Sequence, residues 1–308
     1  MAEACDIARQ WPDSPGVRLT LEKTAVTAQS TADGLAEYGL AREFYELYRS
    51  ASVVGRLSDQ MRATPFRTKV PKELDSGVVA AWIPEATLKP VRAFSFDTLQ
   101  LEEFKIGCMV VISNELAKMS TPSAEATIRQ ILTNAVASFI DSEFLSSNAA
   151  VVGESPAGIG NGQQTHTSTG STAAQIAADL SSMAGKLGSW ASPVWICRPR
   201  TLLTLGALDI AKFLPGGPLL CGFPVATTVS SPAQIILLDL GAVLFADEGQ
   251  SSISLSRQAT VTMGDGGSPE VEEVVSLWQK NLACLRVERF ISWLATHDAA
   301  VVVMTVSY

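Results

Sequence analysis

The pattern of apolar and polar positions divides the chain into stretches of different character. Residues 1–40 mix Pro12, Pro15, Gly16, Gly34 and Gly39 with small polar residues and read as an arm. Phe44, Leu47 and Tyr48, at three- and four-residue spacing, predict a short amphipathic helix in Ala41–Arg49. From 50 to 90, Pro65, Pro71, Pro84 and Pro90 predict extended segments in an exposed hairpin or long loop, and exclude helix. Strict alternation of Phe104, Ile106, Cys108, Val110 and Ile112 predicts a strand with one buried face. Upstream, Leu99 and Leu101 alternate in the opposite phase, and Phe94 with Phe96 in the first phase again. One long strand over 91–113 therefore needs bulges or a strong twist.

The next segment predicts a helix over 121–147, with Thr121 as N-cap and Pro122 at the first helical position. Its apolar stripe is Ile128, Ile131, Leu132, Ala135, Phe139 and Ile140. About 25 residues at 1.5 Å rise make a rod of roughly 38 Å. A glycine-rich turn (Gly153–Gly162) and a polar stretch follow, and Thr172 with Gln175 forms a capping-box pattern for a second helix. That helix carries Ile176, Leu180, Met183 and Leu187 and ends at Gly188. Short apolar strands follow at Val194–Cys197, Phe223–Thr228, Ile235–Leu238 and Val243–Ala246, with a short helix from Pro199. Asn281–Val306 reads as strand, turn and strand. The whole is α+β, with one long helix, one long hairpin and a strand-rich second half.

Composition narrows the function. In 308 residues, 18% are charged, below the ~25% of typical soluble domains. A chain this apolar, with no membrane segment, is expected to hide surface against partner subunits. The net charge of -8 argues against gripping nucleic acid through its own surface. Five scattered cysteines without a CxxC pair make a disulfide framework or zinc knuckle an unlikely design. Only His166 and His297 offer imidazole for catalysis. No GxSxG elbow occurs. Gly158-Ile-Gly-Asn-Gly162 suggests a phosphate cradle but lacks the lysine and spacing of the known loops, so a plain turn is the simpler reading. The acidic run Glu270, Glu272 and Glu273 near Asp265 reads as a solvated face more readily than as a cation site. No cofactor is expected.

Charge is unevenly spread. Arg42 to Lys72 holds seven basic residues against three acidic, and Asp141 to Glu273 holds five basic against twelve acidic. Either two unrelated surfaces are solvated, or the basic region of one subunit lies across the acidic half of another.

The order of short motifs then carries a resemblance. It runs through Trp82-Ile-Pro-Glu85 and Leu88-Lys-Pro90, then Val111-Ile-Ser-Asn-Glu-Leu116 and Asp141-Ser-Glu-Phe-Leu145. Gly153, Pro156, Gly158 and Ile159, Leu219-Leu-Cys-Gly-Phe-Pro-Val225 and Leu285-Arg-Val-Glu-Arg-Phe290 complete it. From about residue 41 onward the chain resembles the major capsid proteins of tailed bacteriophages, of the Hong Kong 97 fold type. The resemblance implies an N-terminal arm over 1–50 and an extended loop over 51–95. It implies a peripheral domain from 96–152 and 276–308, with 121–147 as its spine helix, and an axial domain over 153–275. It implies a structural protein, not an enzyme, forming pentamers and hexamers of itself in an icosahedral shell around double-stranded DNA, without sequence-specific binding and without a membrane. Scaffolding, portal and decoration proteins would be its partners, and the virion its place after assembly in the host cytoplasm. With only about forty residues ahead of the matched region, the expectation is either a processed or trimmed form or a separate scaffolding protein that directs assembly, and the Met1 start favours the second.

Some relatives form an isopeptide bond between subunits. By match, Lys89 would be the lysine, Asn281 the asparagine and Glu288 the base. In other relatives the glutamate serves an ion pair with arginine. An encapsulin-like compartment shares the fold and is the nearest alternative. A soluble α+β enzyme using the Gly153–Gly162 loop is the alternative from another class.

Overall fold

The computed structural model describes residues 46–73, 82–83, 96–115, 122–249, 252–264 and 272–306. A helical stretch at 46–51 leads into α1 (Val53–Leu57), then β1 (Arg62–Ala63), β2 (Lys69–Glu73), β3 (Phe96–Gln100) and β4 (Phe104–Ser113). The long helix α2 (Pro122–Phe144) is followed by β5 (Gln164–Thr167), α3 (Ala173–Lys186), β6 (Pro193–Cys197) and α4 (Pro199–Ala207). Next come β7 (Ala211–Leu214), β8 (Gly217–Leu220), β9 (Phe223–Thr227) and β10 (Gln234–Asp239). The chain continues through β11 (Val243–Asp247), β12 (Ser252–Ser256) and β13 (Thr260–Gly264). β14 (Glu272–Ser276), β15 (Leu282–Ala295) and β16 (Val301–Thr305) close the order.

The uninterrupted apolar runs of β6, β10 and β16 have a simple cause: they are covered on both faces. They sit centrally in a seven-stranded sheet ordered β5-β16-β10-β6-β9-β8-β7. Val194, Ile196, Ile236, Leu238, Val301 and Val303 join one core with Leu132, Ile140 and Phe144 of α2. The alternate residues Trp195, Cys197, Ile235, Leu237, Val302 and Met304 join a second core with Ile176, Leu180 and Met183 of α3 and Leu205 of α4. Thr172 and Gln175 form the expected capping box at the start of α3.

The other large sheet is organised by β15. β4 runs antiparallel along one edge, from Leu282↔Ser113 to Ile291↔Phe104. Along the other edge lie β12 and then β11, with β1 parallel outside β11. β4 alternates as its sequence requires, with Lys105, Gly107 and Met109 exposed and Ile106, Cys108 and Val110 half-buried. The phase change upstream of it is not a bulge. β3 pairs with β2 in a separate two-stranded ladder, and the chain turns at 101–103, with Leu101 buried, before β4 begins. The phase changes because the strand changes partner; the part before residue 96 lies outside the described residues.

Two further expectations are corrected. Helix α1 lies inside the stretch read as extended, because every proline there is C-terminal to it and Ser52 caps it by accepting from the Gly55 amide. The buried row of α2 is Leu132, Val136, Ile140 and Phe144, flanked by Thr133, Ala137 and Asp141, whereas Ile131 and Phe139 are 59% and 51% exposed. The predicted stripe therefore merged two neighbouring rows. Sheet membership does not follow chain order. β11 and β12 belong with β15, and β16 returns to the seven-stranded sheet beside β10. Thr121 and residues 1–45 lie outside the described residues.

The glycine-rich turn caps α2. Ile159 donates its amide to the carbonyl of Phe144, one of the groups a helix C-terminus leaves unpaired, and Gly160 donates to the carbonyl of Ser146 just beyond the helix. A Cβ at Gly158 would stand 2.2 Å from the Ser146 carbonyl oxygen, so only glycine permits this approach. These amides are spent inside the fold, which removes the phosphate-cradle reading.

Candidate functional site

The candidate crosslinking residues separate. Asn281 is exposed, in left-handed backbone (φ 54°), at the turn entering β15. Asn114, at the end of β4, donates its side-chain Nδ2 to Asn281 Oδ1 at 2.9 Å, and its backbone amide to the Asn281 carbonyl at 2.9 Å. A donor on the amide oxygen polarises the carbonyl toward a nucleophile. Glu288 lies seven residues further on, roughly 23 Å along an extended strand. There it is held by Lys105 at 3.1 Å and Arg286 at 3.5 Å. Within one copy, then, Glu288 is not beside Asn281. Lys89 lies outside the described residues.

Beyond these, buried polar groups tie the elements together, and the sequence pattern concealed them. Asp141 of α2, 2% exposed, accepts from Ser52 Oγ (2.6 Å), the Val53 amide (3.0 Å), the Val54 amide (3.2 Å) and Thr228 Oγ1 (3.2 Å). One carboxylate thus fastens the start of α1 and the turn after β9 to the long helix, at the end of α1 that favours negative charge. Arg289 of β15, also buried, pairs with Asp247 of β11 at 2.5 Å and stacks over the Tyr48 ring at 4.0 Å. Burial pushes the Tyr48 phenol up to about 12, against the opposing pull of Arg289. Asp239 accepts from Ser189 Oγ and from the amides of Ala191, Ser192 and Gly241. Burial raises its pKa, but these four donors outweigh it and hold the carboxyl below its ordinary range. Asp179 behaves likewise under Thr169 and His166, 3.1 Å away.

This accounting shrinks the charge asymmetry. Of the twelve acidic residues between Asp141 and Glu273, Asp141, Asp179 and Asp239 are buried and hydrogen-bonded, and Asp247 is committed to Arg289. On the basic side, Arg49 pairs with Asp59, Arg67 with Glu103 and Lys72 with Asp298. Arg62 and Lys69 remain exposed. Of the acidic run, Glu273 pairs with Lys280 at 2.8 Å, while Asp265 and Glu270 lie outside the described residues.

Apolar surface, by contrast, is left in quantity. Trp82 is fully exposed, as is nearly all of Val152. Val274 and Trp278 stand out beside the β13–β14 hairpin, and Leu203, Phe213 and Leu214 around α4 and β7. Side chains of this kind on a low-charge chain mark contact surfaces. Among the described residues, no group of His, Cys, Asp and Glu is arranged to hold a metal ion.

Two sheets sharing the long helix, with β2 and β3 paired in a separate two-stranded ladder, make this the Hong Kong 97-type capsid fold. A solved chain from Gordonia phage Cozz has the same fold, with a TM-score of 0.61 at 15% identity over 83% of this chain and 87% of that one. The SrpI encapsulin complex of Synechococcus elongatus is more distant, with a TM-score of 0.50 at 14% identity over 83% and 88%. The profile of the phage capsid family matches residues 35–306, and the chain belongs to that family. It is 31% identical to the capsid polyprotein of Pseudomonas phage PAJU2, over 92% of this chain and 47% of the relative. The chain thus spans about half the length of that relative. It is 26% identical to the probable major capsid protein gp17 of Mycobacterium phage L5, over 86% and 87%.

Proposed function

We propose that this chain is the shell-forming subunit of an icosahedral phage head, assembling as pentamers and hexamers around double-stranded DNA. The observation that carries the reading is the combination of a capsid fold with large apolar side chains left uncovered on the isolated chain. The five-stranded sheet with α2 would form the peripheral part, and the seven-stranded sheet the axial part. Scaffolding, portal and decoration proteins would be its partners in the host cytoplasm, and the mature virion its final place. Electron microscopy of the purified protein, with a nuclease-protection assay on particles from infected cells, tests this. Closed shells holding protected DNA are expected. Shells filled with protein cargo and no protected DNA would favour the encapsulin-like reading, and a stable monomer would end both.

The isopeptide bond belongs to the same proposal. Glu288 would take a proton from the Lys89 ammonium, and the neutral amine would then attack the Asn281 side-chain carbon; the new C–N bond forms as the C–NH2 bond breaks, and the departing nitrogen takes a proton from the attacking amine and leaves as ammonia. With seven residues of β15 between them, Glu288 would come from a different copy than Asn281. The hydrogen bond from Asn114 would sharpen the electrophile. A ladder of covalent multimers on denaturing gels, abolished by Lys89→Ala and reduced by Asn114→Ala, is expected. A single monomer band from mature particles would end the crosslinking proposal.

A further inference from the structure

The structure gathers in one place arginines that the sequence scatters. Arg56, in the last turn of α1, donates from Nη2 to the Thr227 carbonyl at 3.2 Å. Arg198, directly after β6, donates from Nε to the Ser231 carbonyl at 2.6 Å. Both carbonyls belong to the turn that leaves β9. That turn is itself tied down, because the Thr228 amide donates to the Cys197 carbonyl at 3.3 Å, where Cys197 of β6 pairs with Thr227 of β9. Arg200 follows in the first turn of α4. All three arginines are exposed. Arg198 and Arg200 are two of the five basic residues between Asp141 and Glu273.

None of the three meets a carboxylate among the described residues. The acids of the adjoining segments are already committed, Asp59 to Arg49 and Asp141 to its four donors. Arg56 and Arg198 each spend one N–H of a five-donor fork on the turn, which leaves most of each guanidinium for a further acceptor. The turn reads Thr227-Thr228-Val229-Ser230-Ser231, rich in small hydroxyl side chains and without an acid. Ser231 Oγ is buried and has no hydrogen-bond partner, so the chain does not complete its own polar groups here. The N-cap of α4 is Arg198, which places no side-chain acceptor over the first turn, at the helix end that favours negative charge.

We propose that Arg56, Arg198 and Arg200 form a phosphate site whose occupant is the backbone of the duplex DNA the shell would enclose. Guanidinium forks recognise carboxylate and phosphate alike. A carboxylate offers two oxygens in one plane, and a single fork satisfies it. Here the donors come from α1, from the end of β6 and from α4, around a turn of hydroxyl side chains. That arrangement suits an anion with oxygens in several directions, repeated along a polymer, and Ser and Thr hydroxyls join arginines as ordinary partners of DNA phosphates. The contact reads no base edge and so carries no sequence preference. It also agrees with the net charge of -8. The chain as a whole repels DNA, which confines contact to the spot where positive charge is concentrated and uncompensated. The inference rests on the shell-subunit reading, because it assigns a surface such a shell would turn toward its contents.

Fluorescence anisotropy of a labelled duplex of random sequence, titrated with the full chain across a low-salt series, tests it. Three phosphate contacts give log affinity against log salt a slope of about −2.7. Replacing all three arginines by alanine should weaken binding roughly tenfold or more at low salt and flatten the slope. Arg56 and Arg198 also brace the turn, so Arg200→Ala alone is the second variant. It should reduce the slope by about 0.9 while leaving circular dichroism and the melting temperature unchanged. Arg62→Ala with Lys69→Ala, cations placed elsewhere, should leave the slope as it is. Displacement of the duplex by inorganic phosphate supports the site. Binding of inorganic phosphate without binding of the duplex overturns DNA as the occupant. No binding of either overturns the whole proposal, as does a slope that falls as much in the Arg62 and Lys69 variant. So does a glutamate oligomer that binds as tightly through the same arginines, which would make an acidic protein segment the occupant. Electron microscopy of the same samples separates the two readings: shells without arginine-dependent DNA binding refute this site alone, and such binding by a chain that forms no shells counts against the shell alone.

Discussion

The two large sheets solve opposite problems. The seven-stranded sheet is covered on both faces by its own chain, so β6, β10 and β16 carry apolar side chains at consecutive positions. The β15 sheet buries one face and leaves Lys105, Gly107 and Met109 of β4 in the open. The centre of the first sheet is thus closed by side chains of the chain itself, whereas the second keeps one face of β4 in the open.

The largest expected effect breaks or keeps that contrast directly. Leu237, in the middle of β10, is fully buried. Leu237→Ala should cost about 3 kcal/mol, in the range for a leucine truncated in a packed core. Met109, 61% exposed on β4, should lose no more than about 0.5 kcal/mol on truncation. Urea unfolding of the two variants reads the difference, and equal losses would mean the sheets are not distinct in this sense. Next in size is Asp141→Ala, which strands four donors from two separate segments and should cost roughly 2–3 kcal/mol. A loss below about 0.5 kcal/mol would show that the start of α1 is not held to α2 through this carboxylate.

The contrast between the sheets also sets what was legible. The alternation Phe104 to Ile112, the capping box at Thr172, and the apolar runs of the second half each carry a period or a cap, and each appears as an element. Two-sided burial was in the sequence as well, in Val301-Val302-Val303 and Ile235–Leu238, but a run alone does not say which sheet it enters. Hence β16 lies beside β10, away from the segment preceding it in the chain. The helical stripe of α2 was misread because Ile131 and Phe139 are as apolar as Leu132 and Ile140. Periodicity marks apolar rows and does not distinguish one facing the chain's own core from one facing outward. Asp141 was hidden for the converse reason. A lone aspartate in a helix gives no hint that four donors from residues 52–54 and 228 will converge on it.

A smaller effect concerns acid. Asp239 and Asp179 have folded-state pKa values below the ordinary carboxylate value of ~3.9, because hydrogen bonding outweighs burial. A lowered folded pKa contributes stability above the unfolded pKa and loses it as pH falls through the folded value. Stability should therefore decline below about pH 4, and more steeply than in Asp239→Asn, where one such group no longer titrates. Chemical unfolding between about pH 6 and pH 2.5 gives both slopes, and parallel curves would remove Asp239 from the account.

The smallest effect bears on charge, and it follows from the same division between covered and open surface. Arg62 and Lys69 are exposed and hold no ion pair among the described residues, so Arg62→Glu and Lys69→Glu should each change folding stability by less than about 0.5 kcal/mol. With much of the acidic surplus already buried or paired inside the chain, long-range complementarity between copies has little left to act on. What remains is screened beyond roughly 8 Å at physiological salt. The double reversal should therefore slow assembly only at low ionic strength, because rim charges steer encounter more than they hold a contact. Light scattering across a salt series measures this. If the variant fails to assemble even at physiological salt, the exposed charges hold copies together, and apolar surface is not the main adhesive.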